Sequence, residues 1–311
     1  MIDYFYILGG IYFGWSLGAN DSANVFGTAV ATRILKFWVA ILFLSVFVFV
    51  GSILEGPKCM QTMSNVATIS LKMTAIVTVS SAITMTALTI WGIPASSSQA
   101  IMGAIIGATI LRGSPNWSAF LNVVLCWIGT PIGAAIIAFL LYRFLDAILS
   151  RTLGMSGAKF NTFIRFGIII TGCMGAYSLG ANNVANVTGV YVAAKLISPF
   201  TASVIGAIGI ILGAATYSRK VMETVGHKIT LIGPLAALVA VAAESITVYI
   251  YTQVGVPVST SQAIVGAVVG IGLIRGIKAV NKRMIGEIIV GWLTTPLASG
   301  ILAFIGSLFI R

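Results

Sequence analysis

The chain has 311 residues, of which 58% are hydrophobic and only 8% are charged, and its formal net charge is +11. Soluble globular domains carry about 25% charged residues, so this composition excludes a water-soluble fold and indicates a membrane protein. Lys and Arg cluster in short connections between apolar runs, which is typical of membrane loops and argues against nucleic-acid binding.

The apolar runs predict membrane-crossing α-helices. The run at 121–141 reaches the roughly 20 residues that span a bilayer, and it lacks the polar and apolar alternation of a membrane β-strand. The first run is followed directly by polar residues and does not resemble a cleavable signal peptide. In chain order, the first half predicts about five spans, at 2–32, 37–54, 73–91, 95–111 and 117–142.

The first predicted span contains the polar motif GANDSAN, which begins at Gly18. Gly18 permits a backbone bend, so we predict that the helix breaks there. Asp21 and Asn24 share a face if the helix resumes, and an intramembrane carboxylate is costly and usually functional. A carboxylate among neutral oxygens suits a hard cation such as sodium. The neutral oxygens come from Asn20, Ser22 and Asn24. Alternatively, the Asn and Ser side chains only bond neighbouring helices.

The fourth predicted span begins with the motif PASSSQ at residues 94–99. Pro94 disfavours helix at the preceding residue, so a new helix starts with serines in its first turn. Free backbone N–H groups, hydroxyls and the positive end of the helix dipole then form an oxyanion site without Lys or Arg. The alternative is an ordinary N-cap with packing serines. The predicted anion-binding residues are Ser96, Ser97, Ser98 and Gln99.

The second half of the chain repeats the first. LGANDSANVFG at 17–27 recurs as LGANNVANVTG at 179–189, an offset of 162, and GIPASSSQ at 92–99 recurs as GVPVSTSQ at 255–262, an offset of 163. We therefore predict a first repeat at 1–145, a cytoplasmic linker at 146–160 and a second repeat at 161–311. The repeated motif predicts a second oxyanion site at Ser259, Thr260, Ser261 and Gln262.

An odd number of spans in each half places the second repeat upside down. The basic linker predicts a cytoplasmic location, and both termini then lie outside. With this orientation the more basic loop of each corresponding pair, such as 275–283, falls inside. The predicted fold class is an all-α polytopic membrane protein with two inverted-topology repeats and broken or re-entrant helices at the midplane. That design is typical of secondary transporters.

At these four motifs the chain resembles the inorganic phosphate transporter (Pit) family. The resemblance implies phosphate uptake, driven by sodium in some members and by protons in others, and a homodimer. It also assigns the cation-motif positions to Asp21, Asn24, Asn183 and Asn186, and the Ser-rich positions given above to phosphate. Asn183 stands where the family usually has Asp, which leaves the number of coupling ions open.

Two other acidic residues lie in or near predicted spans. Glu244 is well inside an apolar run and resembles a family acid position, so it is either a coupling acid or a helix-packing partner. Glu55 lies beside Lys58, and the two are predicted to form an ion pair.

We predict import of inorganic phosphate across the plasma membrane by cation symport, with alternating access around a midplane site and no cofactor besides sodium or a proton. A sulfate or other oxyanion permease and a passive anion channel remain alternatives. An enzyme is not expected, because no histidine lies near Ser22 and Asp21, and the second motif has Val184 in place of Ser22.

Overall fold

A computed structural model describes residues 5–66, 69–91, 95–112, 115–152, 157–230, 233–274 and 282–310. This part of the chain folds into ten α-helices. Seven of them (α2, α3, α5 to α8 and α10) are long and apolar enough to cross a membrane, which confirms the all-α polytopic class. Their bounds are α1 Ile7–Ala31, α2 Phe37–Val66, α3 Leu71–Ile90, α4 Ser97–Thr109, α5 Trp117–Thr152, α6 Gly157–Ala193, α7 Pro199–Thr230, α8 Pro234–Val254, α9 Thr260–Ile274 and α10 Lys282–Leu308.

Helices α3 and α4 form a hairpin, named hairpin 1, with a short second helix and a tip beside the middle of α1, where the sequence predicted two full-length spans. Near its tip, Thr89 accepts a 2.9 Å hydrogen bond from Asn20 in the middle of α1. The N–H of Asn116, just before α5, donates to the carbonyl of Val66 at the end of α2 over 2.7 Å. The hairpin therefore leaves and returns at one face. With 13 residues, α4 is about 20 Å long, too short for a bilayer core of about 30 Å.

The second half has the corresponding hairpin 2, formed by α8 and the 15-residue α9. The segment between them contacts Asn182 of α6, as hairpin 1 contacts Asn20 of α1. Each half thus contains one hairpin and three other long helices in place of five similar spans: α1, α2 and α5 in the first half, and α6, α7 and α10 in the second. Three long helices are an odd number, as five predicted spans were, so the second half again lies upside down relative to the first. Residues 275–281 of the basic segment used for orientation lie outside the described residues.

Helices α1 and α6 run without a break through GANDSAN and GANNVAN, which corrects the predicted bends. The glycines serve close packing instead. A Cβ at Gly18 would overlap the backbone of Ile210 on α7, and one at Gly180 would overlap the backbone of Val48 on α2. Gly180 follows Gly18 by 162 positions, and Ile210 follows Val48 by the same number, so the repeat relates the two contacts. Carbonyls freed by a break are therefore not available as ligands here.

The two repeats interlock. Gly103 of α4 lies against Pro296 of α10, and Gly266 of α9 lies against Pro131 of α5, so each hairpin packs on the last helix of the other repeat. The predicted boundaries at 145 and 161 remain a prediction. Most of the predicted linker is helical, because α5 continues to Thr152 and α6 begins at Gly157.

Candidate functional site

The tips of the two hairpins carry the Ser-rich motifs, and a new helix begins at each as predicted. Ser96 caps α4 by accepting from the N–H of Gln99 at 3.4 Å, and Ser259 caps α9 by accepting from the N–H of Gln262 at 3.2 Å. The hydroxyls of Ser96 and Ser98 also bond each other at 3.2 Å. All eight predicted anion-binding side chains are buried. Two hydroxyls are thus committed to capping, and the others lie in the first turns.

Asp21 on α1 contacts hairpin 1 and faces hairpin 2. Its Oδ2 accepts from the Ser97 hydroxyl of hairpin 1 at 3.1 Å and from the Asn183 amide of α6 at 3.3 Å. The side chains of Thr260 and Ser261, from hairpin 2, also face this carboxyl group. A single carboxylate therefore lies where α1, α4, α6 and α9 meet. The predicted cation residues and the predicted anion residues form one cluster, which we call the central cluster.

The remaining cation-motif residues join the same cluster. Asn24 donates to the hydroxyl of Ser261 at 3.2 Å, and so links α1 to the hairpin of the other repeat. Asn186 donates to Oδ1 of Asn183 at 3.2 Å. Asp21 and Asn24 share a face of α1, as their spacing predicts. Asn183, which occupies the position of Asp21 in the second repeat, donates to Asp21 and supplies no second negative charge.

Glu244 is a second fully buried carboxyl group, on α8. Its Oε2 accepts from the hydroxyl of Ser245 at 3.2 Å and lies close to Gly175 of α6. It is close enough to Asp21 for the two carboxyl groups to interact electrostatically. The repeat equivalent, 163 positions earlier, is Ser81, so this acid is also present in one half only.

Unpaired buried oxygens are concentrated in and beside the central cluster. Among the described residues, ten buried side-chain atoms lack a hydrogen-bond partner, and six are oxygens of the predicted site residues. Leaving such groups unpaired costs about 1–3 kcal/mol each, so these acceptors favour a ligand that brings positive charge or hydrogen-bond donors. The six atoms are Asp21 Oδ1, Gln99 Oε1, Asn186 Oδ1, Glu244 Oε1, Thr260 Oγ1 and Gln262 Oε1.

Two polar residues of the first motif do not reach the cluster as predicted. The Ser22 hydroxyl donates to the carbonyl of Gly18 at 2.6 Å, and Asn20 donates to Thr89. On the unbroken helix Asn20 lies about 100° from Asp21, and its side chain contacts hairpin 1 instead of the carboxyl group of Asp21. Helical spacing does not separate Asn20 from Asn24, because residues four apart share a face, so the contact with Thr89 could be found only from the packing of hairpin 1.

A sequence profile described as "Phosphate transporter family" matches this chain twice, over residues 17–158 and 155–303. A Methanocaldococcus jannaschii protein named "putative phosphate permease" is 34% identical over 294 residues, covering 94% of this chain and 93% of its own length. A Pyrococcus furiosus protein of the same name is 29% identical, with coverage of 96% and 93%. A solved structure named "The sodium-dependent phosphate transporter" shares the fold over 100% of both chains, with a TM-score of 0.85 and 24% identity.

Proposed function

Because the chain belongs to the phosphate transporter family, we propose that it imports inorganic phosphate by cation symport through an alternating-access cycle. One observation carries this proposal. The serine-rich helix starts of two inverted repeats converge with a single buried carboxylate, Asp21, in an integral multi-pass membrane protein. Such a centre combines an anion site with a cation site, which a coupled oxyanion carrier requires.

The phosphate site lies at the N-terminal ends of α4 and α9. Helix starts offer free backbone N–H groups and a positive dipole end, which together bind oxyanions without a basic side chain. Phosphate keeps at least one hydroxyl at neutral pH, whereas sulfate has none. An unpaired buried acceptor such as Asp21 Oδ1 can accept a hydrogen bond from that hydroxyl, so the site favours phosphate over sulfate. The proposed ligands are Ser96, Ser97, Ser98, Gln99, Ser259, Thr260, Ser261 and Gln262.

The cation site uses Asp21 with oxygens of Asn24, Asn183 and Asn186. Sodium fits an oxygen-only ligand set with one carboxylate, and a proton on Asp21 is the alternative. Phosphate next to an ionised Asp21 would be repelled, so the cation binds first and neutralises the centre. Glu244 is the proposed additional coupling acid, because it is buried, lies near Asp21 and has an unpaired Oε1.

Alternating access is supported by a difference between the two hairpins. Helix α2 holds the tip of hairpin 2: Lys58 pairs with Glu55 and donates to Gln253 at 2.7 Å, and Thr62 donates to the carbonyl of Gly255 at 2.6 Å. The repeat-related positions on α7, 162 residues later, are exposed, and the Thr224 hydroxyl donates to the carbonyl of Lys220 in its own helix. Those positions are Tyr217, Lys220 and Thr224. The counterpart of Gly255 in hairpin 1, residue 92, lies outside the described residues. We infer that the opposite-facing state exchanges the two arrangements.

Cross-linking tests this exchange in a variant whose three cysteines are replaced by alanine. We expect that a short thiol cross-linker joining Lys58→Cys to Gln253→Cys stops phosphate uptake, because hairpin 2 must leave α2 in each cycle. The repeat-related pair, Ile90→Cys with Lys220→Cys, should cross-link only when phosphate and the coupling cation are both supplied. The four single variants, treated identically, are the controls. Unchanged uptake with fully cross-linked Lys58→Cys and Gln253→Cys would contradict alternating access.

Uptake into sealed vesicles, with sodium and pH gradients imposed separately, tests substrate and coupling. We expect an inward sodium gradient to drive phosphate accumulation above equilibrium, with arsenate competing and sulfate not competing. Accumulation driven only by a pH gradient would assign the coupling ion to a proton. Equilibration without accumulation would instead support a passive channel, and equal competition by sulfate and arsenate would support a general oxyanion permease.

We propose a plasma-membrane location with both termini outside, because this orientation places the more basic segments in the cytoplasm. A homodimer is the proposed assembly. The family is one of transporters, and transport rather than catalysis is the proposed activity.

A further inference from the structure

Asn182 on α6 binds the turn between α8 and α9 rather than the central cluster. It is fully buried, and its Oδ1 accepts from the backbone N–H of Val258 at 2.9 Å. Its amide nitrogen donates to the carbonyl of Val256 at 3.2 Å and to the hydroxyl of Thr252 at 3.0 Å. One side chain thus holds three points of the hairpin 2 tip.

The tip needs such a partner because it is irregular backbone that is buried from Pro257 onward. Gly255 has a left-handed φ of 79°, and Val256 to Ser259 follow no regular structure before α9 begins. Buried backbone N–H and C=O groups cannot bond water, so protein groups must satisfy them. An asparagine amide is both donor and acceptor, and matches one N–H and one C=O of the turn.

The residues held by Asn182 lead directly into the proposed phosphate site. Val258 immediately precedes Ser259, the cap of α9, and Thr260 and Ser261 follow in the first turn. Fixing Val258 therefore fixes the direction of the α9 N–H groups. The next residue on α6, Asn183, contacts Asp21, so α6 connects the cation residues to the anion-binding turn.

We propose that Asn182 is a positioning residue that sets phosphate affinity through the hairpin 2 tip without touching phosphate or the cation. The proposal rests on the function proposed above. Misplacing a turn that supplies half of the oxyanion donors weakens phosphate binding most, whereas Asp21 keeps its hydrogen bonds from Ser97 and Asn183, which belong to other elements.

The test compares the KM for phosphate with the KM for sodium in vesicles. We expect Asn182→Ala to raise the phosphate KM about tenfold to a hundredfold, since three hydrogen bonds of ordinary strength are lost, while the sodium KM changes less than about twofold. Asn161→Ala, at an exposed asparagine near the start of the same helix, is the matched control and should leave both constants unchanged. Monodisperse elution in detergent checks folding.

A milder variant keeps the proposal testable if Asn182→Ala does not fold. Thr252→Val removes one of the three contacts and should raise the phosphate KM by a smaller factor in the same direction, and Thr252→Ser, which keeps the hydroxyl, should restore it. An unchanged phosphate KM, or equal increases in both constants, would overturn the positioning role. Absence of phosphate uptake by the unmodified chain would instead refute the proposed function.

Discussion

Asp21→Asn is expected to abolish cation-driven phosphate uptake in vesicles while the protein stays folded. Asparagine has nearly the same shape, and its oxygen can still accept from Ser97 and Asn183. What it loses is the single negative charge among the cation-motif residues. Removing one partner of a buried charge interaction typically costs 2–5 kcal/mol or more, so we expect coupled uptake to fall by about 100-fold or more. Initial rates of labelled phosphate uptake, normalised to folded protein, measure the effect.

Glu244→Gln is the companion variant that separates the two buried acids. If Glu244 is a coupling acid, its variant should alter the number or identity of coupling ions per phosphate and retain phosphate binding. If Glu244 is only a packing partner, the ion dependence should match that of the unmodified chain. Sodium-dependent uptake at the normal rate by Asp21→Asn would show that the cation does not use Asp21.

Gly18→Ala is expected to destabilise the protein strongly, although it adds one methyl group to a helix. The new Cβ would overlap the backbone of Ile210, and a backbone cannot move aside by changing a rotamer. Helices α1 and α7 must therefore separate, and the Asp21 side of α1 moves with them. Overpacking against side chains costs about 1–3 kcal/mol, and we expect at least the upper value here. The thermal unfolding midpoint in detergent should fall clearly.

Gly133→Ala on α5 is the matched control for this substitution. Its Cβ would meet only a methyl carbon of Thr247 at 3.9 Å, which is an ordinary contact. Alanine is also the better helix former by about 1 kcal/mol, so this variant should be as stable as the unmodified chain or slightly more stable. Equal midpoints for Gly18→Ala and the unmodified chain would rule out the tight α1–α7 contact.

The helix starts at the two Ser-rich motifs could be predicted from sequence because capping is a local interaction. Ser96 and Gln99, or Ser259 and Gln262, are three residues apart, and their bonds form within one turn. The shared face of Asp21 and Asn24 is equally local. The relation between these groups is not local. Ser97 and Asp21 lie 76 positions apart in sequence, and Asn24 and Ser261 lie 237 apart.

Glycine in the GAND motif shows where local reasoning fails. A glycine permits a bend, but it also permits two backbones to approach closely, and the sequence does not distinguish the two uses. Only the position of Ile210 on another helix reveals the second use for Gly18. The sequence also placed Asn20 with the cation residues, whereas in the structure it donates to Thr89 of hairpin 1, a contact between distant segments.

By itself, the sequence determined that this is an all-α membrane protein with two repeats, with serines at two helix starts and one repeat carrying an acid in the repeated polar motif. These features follow from composition, spacing and capping, which act over a few residues. The tertiary structure alone decided that α3 and α4 return to one face, that Asp21 contacts hairpin 1 and faces hairpin 2, and that Asn182 holds a turn. Those facts depend on contacts between distant segments, which form only when the helices pack around each other.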